Sequence, residues 1–265
     1  MTEVISVENM RKSDEYTIKN FCDSKTLMLK AGTAVYNSCK WQGNILIACG
    51  SGNNAGDGYV LALLLKEQGL TPHILLLKDK FSPDGEYYFS KCQNAGIPYS
   101  FYKGEKISAD IIADCIFGTG FCGEVNGTAA DMINAVNSSG AYVISVDINS
   151  GMNGNTGIGM PCVRSDLTIS IGSFKPGHFI GDAKSNIKNL VNCDIGIKPL
   201  DRPYELHEAF NGAFLELTED ELSPYGYSEH PCRAVLNCSK HIGKTIGIKN
   251  GIQIISDGSR VILVK

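Results

Sequence analysis

Short apolar runs without polar alternation recur along the first two thirds of this chain, separated by segments of helical period. The runs are Asn44 to Cys49, Pro72 to Leu77, Pro98 to Tyr102, Ile111 to Phe117 and Ala141 to Val146. Such runs predict strands covered on both faces. Between them, Met28 to Lys40 predicts a helix with Ala31, Gly32, Ala34 and Val35 on one side. Tyr59 to Gln68, apolar nearly all round, predicts a buried helix, and Gly85 to Ala95 a further one. Strands alternating with helices are βαβ units. The predicted fold class is α/β, a three-layer Rossmann-like sandwich with a mostly parallel doubly wound sheet. Ligands of such sheets sit beyond the carboxyl ends of the strands, so the loops there are where chemistry is expected.

The pattern changes after Ile197. Leu200 to Cys232 is polar, contains Pro203 and Pro224 and has no clear period. Thr245 to Ile255 and Val261 to Val264 read as strands joined around Asp257-Gly258. These features divide the chain into one domain at residues 1–197 and a small C-terminal α+β appendage at 198–265.

A length of 265 residues and 43% hydrophobic composition suffice for a full core. The net charge of -4, with acidic and basic residues interspersed, gives no long-range attraction to polyanions, so no nucleic-acid partner is expected. No apolar run reaches the ~20 residues of a membrane span, and Met1 to Lys12 lacks the progression of a signal peptide. No membrane association and a cytoplasmic location are expected. The ten cysteines show neither CxxC pairs nor His/Cys clusters, which predicts reduced thiols rather than zinc or a redox dithiol. The five histidines, His73, His178, His207, His230 and His241, read as surface or core residues.

Three strand-exit loops stand out. Gly50-Ser51-Gly52-Asn53-Asn54-Ala55-Gly56-Asp57-Gly58 follows a strand and opens a helix. Its glycines permit close backbone approach, and a helix N-terminus presents free N–H groups to phosphate. Neither the Lys-Ser/Thr ending of a Walker loop nor a dinucleotide fingerprint with its later acid is present. The plainer reading is a tight turn capped by Asp57. Asp114 through Glu124 carries Gly118, Thr119, Gly120 and Gly123 and can again offer backbone amides. In Ser145 to Met152, Asp147 ends an apolar strand. Desolvation there would raise its pKa and suit it to proton transfer; the alternative is a carboxylate that caps the next turn. Asp114 and Ser150 add oxygen donors near backbone carbonyls, which suits a hard cation rather than zinc. Lys175-Pro176-Gly177 reads either as a phosphate contact or as a Pro-Gly turn with a solvated lysine.

From about Val4 to Ile197 the sequence resembles the NAD(P)H-hydrate epimerase family, the YjeF N-terminal domain. The family's Asn-Asn-x-Gly-Asp-Gly stands as Asn53 to Gly58, its Asp-x-x-x-Gly-Thr-Gly as Asp114 to Gly120, and its Val-Asp-Ile-Pro-Ser-Gly as Val146 to Gly151. The resemblance implies that Asn53, Asn54, Ala55, Gly56, Asp57, Gly118, Thr119, Gly120, Phe121, Cys122, Gly123, Glu124 and Asp147 contact the hydrated nucleotide, NADHX or NADPHX. It implies that Asn54, Asp114 and Ser150 help hold a potassium ion (K+) and that Asp147 is the acid/base group. The implied reaction interconverts R and S forms at C6 of the hydrated nicotinamide ring. The S form then passes to an ATP- or ADP-dependent dehydratase, and the implied assembly is a homodimer. Asn149 replaces the family's Pro, which loosens the turn, Ala55 replaces a glycine, and Leu29-Lys30 replaces a common Glu-Asn. His241 to Lys265 looks like a strand pair of the dehydratase domain without its glycine-rich catalytic segment, which implies a truncated remnant. A different class of function, a non-catalytic nucleotide-binding scaffold or protein-interaction module, is compatible with the same fold. A hydride-transferring dehydrogenase is disfavoured by the missing fingerprint.

Overall fold

The computed structural model describes residues 2–121, 123–200 and 204–265. Its strands are β1 (Thr2–Val4), β2 (Ile45–Cys49), β3 (His73–Leu76), β4 (Tyr99–Phe101), β5 (Ile111–Cys115), β6 (Tyr142–Val146), β7 (Leu167–Ile171) and β8 (Leu190–Cys193), followed by β9 (Tyr204–His207), β10 (Leu215–Glu216), β11 (Ile246–Asn250), β12 (Ile252–Ser256) and β13 (Val261–Val264). The helices are α1 (Val7–Asn20), α2 (Ser24–Asn37), α3 (Asn53–Glu67), α4 (Pro83–Asn94), α5 (Gly127–Asn137), α6 (Ala183–Asn186), α7 (Glu219–Leu222) and α8 (Pro231–Ile242).

Strands β2 to β8 form a seven-stranded sheet in the order β4-β3-β2-β5-β6-β7-β8, and every pairing in it is parallel. The chain winds outward one way through β3 and β4 and then returns to β5 on the other side of β2. The junction of β2 and β5 is therefore the topological switch point, where the loops leaving adjacent strands diverge and open a crevice. Alternate residues of each strand face opposite layers. Ile47 and Cys49 pack with α2, α3 and α4, whereas Ala48 packs with Met132, Ile133 and Val136 of α5. This is the predicted α/β sandwich. β7 carries Thr168 and Ser170 within it, both fully buried, and these polar positions hid the strand from the apolar pattern.

The second sheet is mixed, in the order β1-β9-β13-β12-β11-β10. The N-terminal strand β1 pairs antiparallel with β9 and so joins the C-terminal elements. The stretch Thr245 to Ile255, expected as one strand, is a hairpin of β11 and β12, because Gly251 turns the chain at φ 73°. Phe174, Phe179 and Ile180, from the segment after β7, pack into the second core beside Val4, Val235 and Ile254. The two sheets thus share apolar contacts. Among the described residues no helix is long and apolar enough to cross a membrane.

Two differences from the sequence expectation bear on the site. α3 starts at Asn53 rather than Tyr59, with Gly52 as its N-cap, so Asp57 sits inside the helix instead of capping it. The polar segment Val7 to Asn20, where no element was expected, is a helix capped by Ser6. Its buried face consists of Met10, Ser13 and Thr17, too polar to register as an amphipathic stripe. The loop at 50–52 is tied to the end of β5, since Gly50 N–H donates to Cys115 O at 3.2 Å. A Cβ on Gly50 would lie 1.9 Å from the Ile116 carbonyl oxygen, while one on Gly52 would meet nothing within 4 Å. Chemical denaturation should therefore show Gly50→Ala destabilised by more than about 2 kcal/mol, and Gly52→Ala by less than about 1 kcal/mol.

Candidate active site

Asp147 leaves the end of β6 at φ 67°, and among the described residues it is the only non-glycine in the left-handed region. A short polar side chain tolerates that region, at about 1–2 kcal/mol. Three contacts hold it there. Its N–H donates to Ile169 O at 2.8 Å, its carbonyl accepts from His178 Nε2 at 3.0 Å, and its Oδ1 is ion-paired with Lys175 Nζ. Lys175 is fully buried and donates also to Ile171 O at 2.9 Å. Neither expected reading of Lys175, phosphate contact or solvated lysine, describes this.

His178, expected as an ordinary surface or core residue, fixes the turn. Lys175 N–H donates to its Nδ1 at 3.1 Å, so Nδ1 carries the lone pair and Nε2 the proton given to Asp147 O. Burial, followed by the Lys175 ammonium, pushes the imidazole down to about 3, so it stays neutral. Asp147 corrects a second expectation. Burial does push its carboxyl up, but Lys175 and the Thr119 backbone N–H outweigh burial and hold it below its ordinary value of 3.8. It is an ionised base at neutral pH, not an acid with a raised pKa. Its Oδ2 accepts from both N–H and Oγ1 of Thr119 at 3.1 Å.

Asp147 and Lys175 open onto a cavity of about 500 Å³ at the switch point. Asn53, Asn54 and Asp57 of α3, Gly118 to Phe121 of the second loop, and Arg11 and Asp14 of α1 line it, with Leu27, Met28 and Ile195 as an apolar wall. Ala55 and Gly56 are buried behind this surface, Gly56 against Met28. Gly123 and Glu124 are exposed and outside the lining. Cys122 lies outside the described residues. Two more carboxyls face the charge of Asp147. Burial and Asp147 raise Asp57 well above the ordinary range, and the same causes push Asp14 up to about 7. The cavity therefore sets the Asp147 carboxyl, whose pKa is held down, beside the Asp14 and Asp57 carboxyls, whose pKa is pushed up, the separation that equips a site for both proton acceptance and donation.

Beneath the floor, Asn54, Asp114 and Ser150 come together around the Phe117 backbone. Asn54 Nδ2 donates to Phe117 O at 3.0 Å and Val146 O at 3.1 Å, while its buried Oδ1 has no partner. Ser150 Oγ accepts from Phe117 N–H at 2.8 Å and donates to Asp114 Oδ1. Asp114 also accepts from Ser145 Oγ, Ser150 N–H and Ile116 N–H, so its acceptor positions are filled and it orients Ser150. Asn149 does not loosen the turn. Its amide donates to Val163 O, Ser165 Oγ and Asn186 O and accepts from Thr168 Oγ1 at 2.6 Å, bonds a proline could not make.

Residues 24–177 match the family described as YjeF-related protein N-terminus. An NAD(P)H-hydrate epimerase of Lentilactobacillus buchneri is 34% identical over 74% of this chain and 96% of its own length. A bifunctional NAD(P)H-hydrate repair enzyme of Archaeoglobus fulgidus is 32% identical over 64% of this chain and 37% of its own. The crystal structure of a yeast protein superposes with a TM-score of 0.62 at 20% identity, covering 76% of this chain and 96% of that one, and so shares the fold.

Two outcomes follow from the electrostatics. Lys175→Met should lower unfolding free energy by about 3 kcal/mol, because a buried carboxylate loses its partner, and adding Asp147→Asn should recover most of that loss in denaturant titrations. Asp14 titrates at a higher pH folded than unfolded, so its contribution erodes stability as pH rises from its ordinary 3.8 toward about 7. Thermal melts should show Asp14→Asn gaining on the wild type across that window and levelling above it.

Proposed function

This chain belongs to the YjeF-related protein N-terminus family, and from that premise we propose that it is an NAD(P)H-hydrate epimerase, interconverting the R and S forms of hydrated NADH and NADPH. The observation that carries the reading is the ionised Asp147 carboxylate, anchored by Lys175 and opening onto a cavity of about 500 Å³. That volume lies within the usual range for a small-molecule site. The reacting carbon bears a hydroxyl beside a ring nitrogen, so its inversion moves a proton at oxygen, and Asp147 takes and returns that proton. The N-terminus of α3 at Asn53 and Asn54 supplies free N–H groups for the nucleotide phosphates. Thr119 steadies the base from the opposite loop, and the apolar wall of Leu27, Met28 and Ile195 receives ring surface.

A potassium ion fits the donors below the floor. The buried Asn54 Oδ1 has no hydrogen-bond partner among the described residues, and the Phe117 and Val146 carbonyl oxygens lie beside the same amide. Those oxygens repel one another unless a cation joins them. Asn54, Ser150 and these carbonyls would hold the ion, with Asp114 orienting Ser150. When bound, a hard monovalent cation supplies positive charge that fixes the two loops around the substrate. We further propose a cytoplasmic homodimer, supported by nine free cysteines among the described residues and by exposed Phe21 at the end of α1 and exposed Leu29 in α2. The bifunctional relatives support coupling to a dehydratase that consumes the S form.

With an S-specific dehydratase in excess, the wild type should drive complete consumption of an R/S mixture. Asp147→Asn should slow loss of the R form by about 10²-fold or more, and choline in place of potassium should also slow it. Retention of the wild-type rate by Asp147→Asn sinks the assignment of the base.

A further inference from the structure

Asp14 is not among the residues that the sequence motifs point to, yet it sits on the cavity wall with Asp147. α1, which carries it, is tied down at both ends. Val7 N–H donates to Asn155 Oδ1 at 3.0 Å, and near the other end Ser13 and Thr17 hydroxyls accept from Leu200 and Lys198 N–H at 3.2 and 2.9 Å. Met10 also packs against Gly172, just after β7. The helix is thus a fixed wall of the site and not a loose arm. Asp14 Oδ1 is buried and has no hydrogen-bond partner among the described residues. A buried carboxyl oxygen without a protein partner is costly unless the group is neutral or a ligand completes it.

We propose that Asp14 is the second catalytic residue, the acid that works opposite the Asp147 base at the ring nitrogen. The inference rests on the epimerase reading and deepens it. At a carbon bearing both hydroxyl and ring nitrogen, Asp147 removes the hydroxyl proton as the carbon–nitrogen bond breaks to leave an aldehyde. Asp14 gives its proton to the departing nitrogen. After rotation about the adjacent carbon–carbon bond, the nitrogen attacks the other face of the aldehyde, Asp14 recovers its proton, and Asp147 returns its proton to the oxygen. Two protons move out and back, and nothing is oxidised or reduced.

The surroundings suit the role. The charged groups around Asp14 are Asp147, Lys175 and Asp57 together with Glu15 and Arg11 of its own helix. Burial and the Asp147 charge outweigh the Lys175 ammonium and push the Asp14 carboxyl up to about 7. Asp57, on α3, is likewise held well above the carboxylate range by burial and the Asp147 charge. An acid matched to the working pH transfers protons in both directions most effectively.

The test is the pH profile of epimerisation for the wild type, Asp14→Asn, Asp14→Glu and Asp57→Asn, with nucleotide affinity measured alongside. The wild-type kcat should fall above about pH 7 as Asp14 ionises. Asp14→Asn should lose about 10²-fold in kcat with KM nearly unchanged, and should lose that basic limb, while Asp14→Glu restores part of the rate. Wild-type kcat and basic limb in Asp14→Asn overturn the proposal and leave the epimerase reading standing, as does a basic limb that disappears only in Asp57→Asn. A wild type that turns over neither epimer overturns the epimerase reading and the Asp14 role with it.

Discussion

The ion pair between Lys175 and Asp147 is the constraint from which the site follows. A fully buried ammonium is tolerated only with a partner, and a left-handed aspartate only where its surroundings hold it. Each condition supplies the other. The pair also sets the charge of its neighbours. Lys175 holds the Asp147 carboxyl down, burial followed by Lys175 leaves His178 neutral so that Nε2 can donate to the strained turn, and the Asp147 charge adds to burial in raising Asp14 and Asp57. Burial, aided by the Asp147 charge and opposed by Lys175, thus sets two carboxyls with raised pKa beside one whose pKa is held down.

Topology decides where this happens. The loops leaving β2, β5 and β6 meet at the switch point and are cross-linked there. Gly50 bonds to Cys115, Asn54 to Phe117 and Val146, and Thr119 to Asp147. The start of α3, the oxygens below it and the Asp147 carboxylate are thus mechanically joined. α1 closes the remaining side and brings Asp14 and Arg11 from a part of the chain that belongs to neither the strands nor their loops.

Much of this was readable in the sequence because it is local. Uninterrupted apolar runs specify parallel strands, and glycine-rich strand exits specify close backbone approach, so the sandwich, the three loops and Asp147 were all visible. The roles of Lys175 and His178 were not, since they depend on Asp147, 28 and 31 residues away, and on burial that a Lys-Pro-Gly turn does not announce. α1 escaped notice because its buried positions Ser13 and Thr17 serve as acceptors for residues near 200 rather than as apolar packing. The meaning of Asn149 depends on hydrogen bonds to Val163, Ser165, Thr168 and Asn186, all distant in sequence. The start of α3 leaves no capping signal in the sequence, since Gly52 caps it without a side chain.

The central claim, that an Asp147 base held by Lys175 inverts a hydrated nicotinamide carbon, is tested most directly by following the separated epimers by chromatography with this protein alone. The account predicts that pure R and pure S preparations converge on the same mixture much faster than in buffer. Epimer compositions that drift no faster with the protein than without it would contradict it.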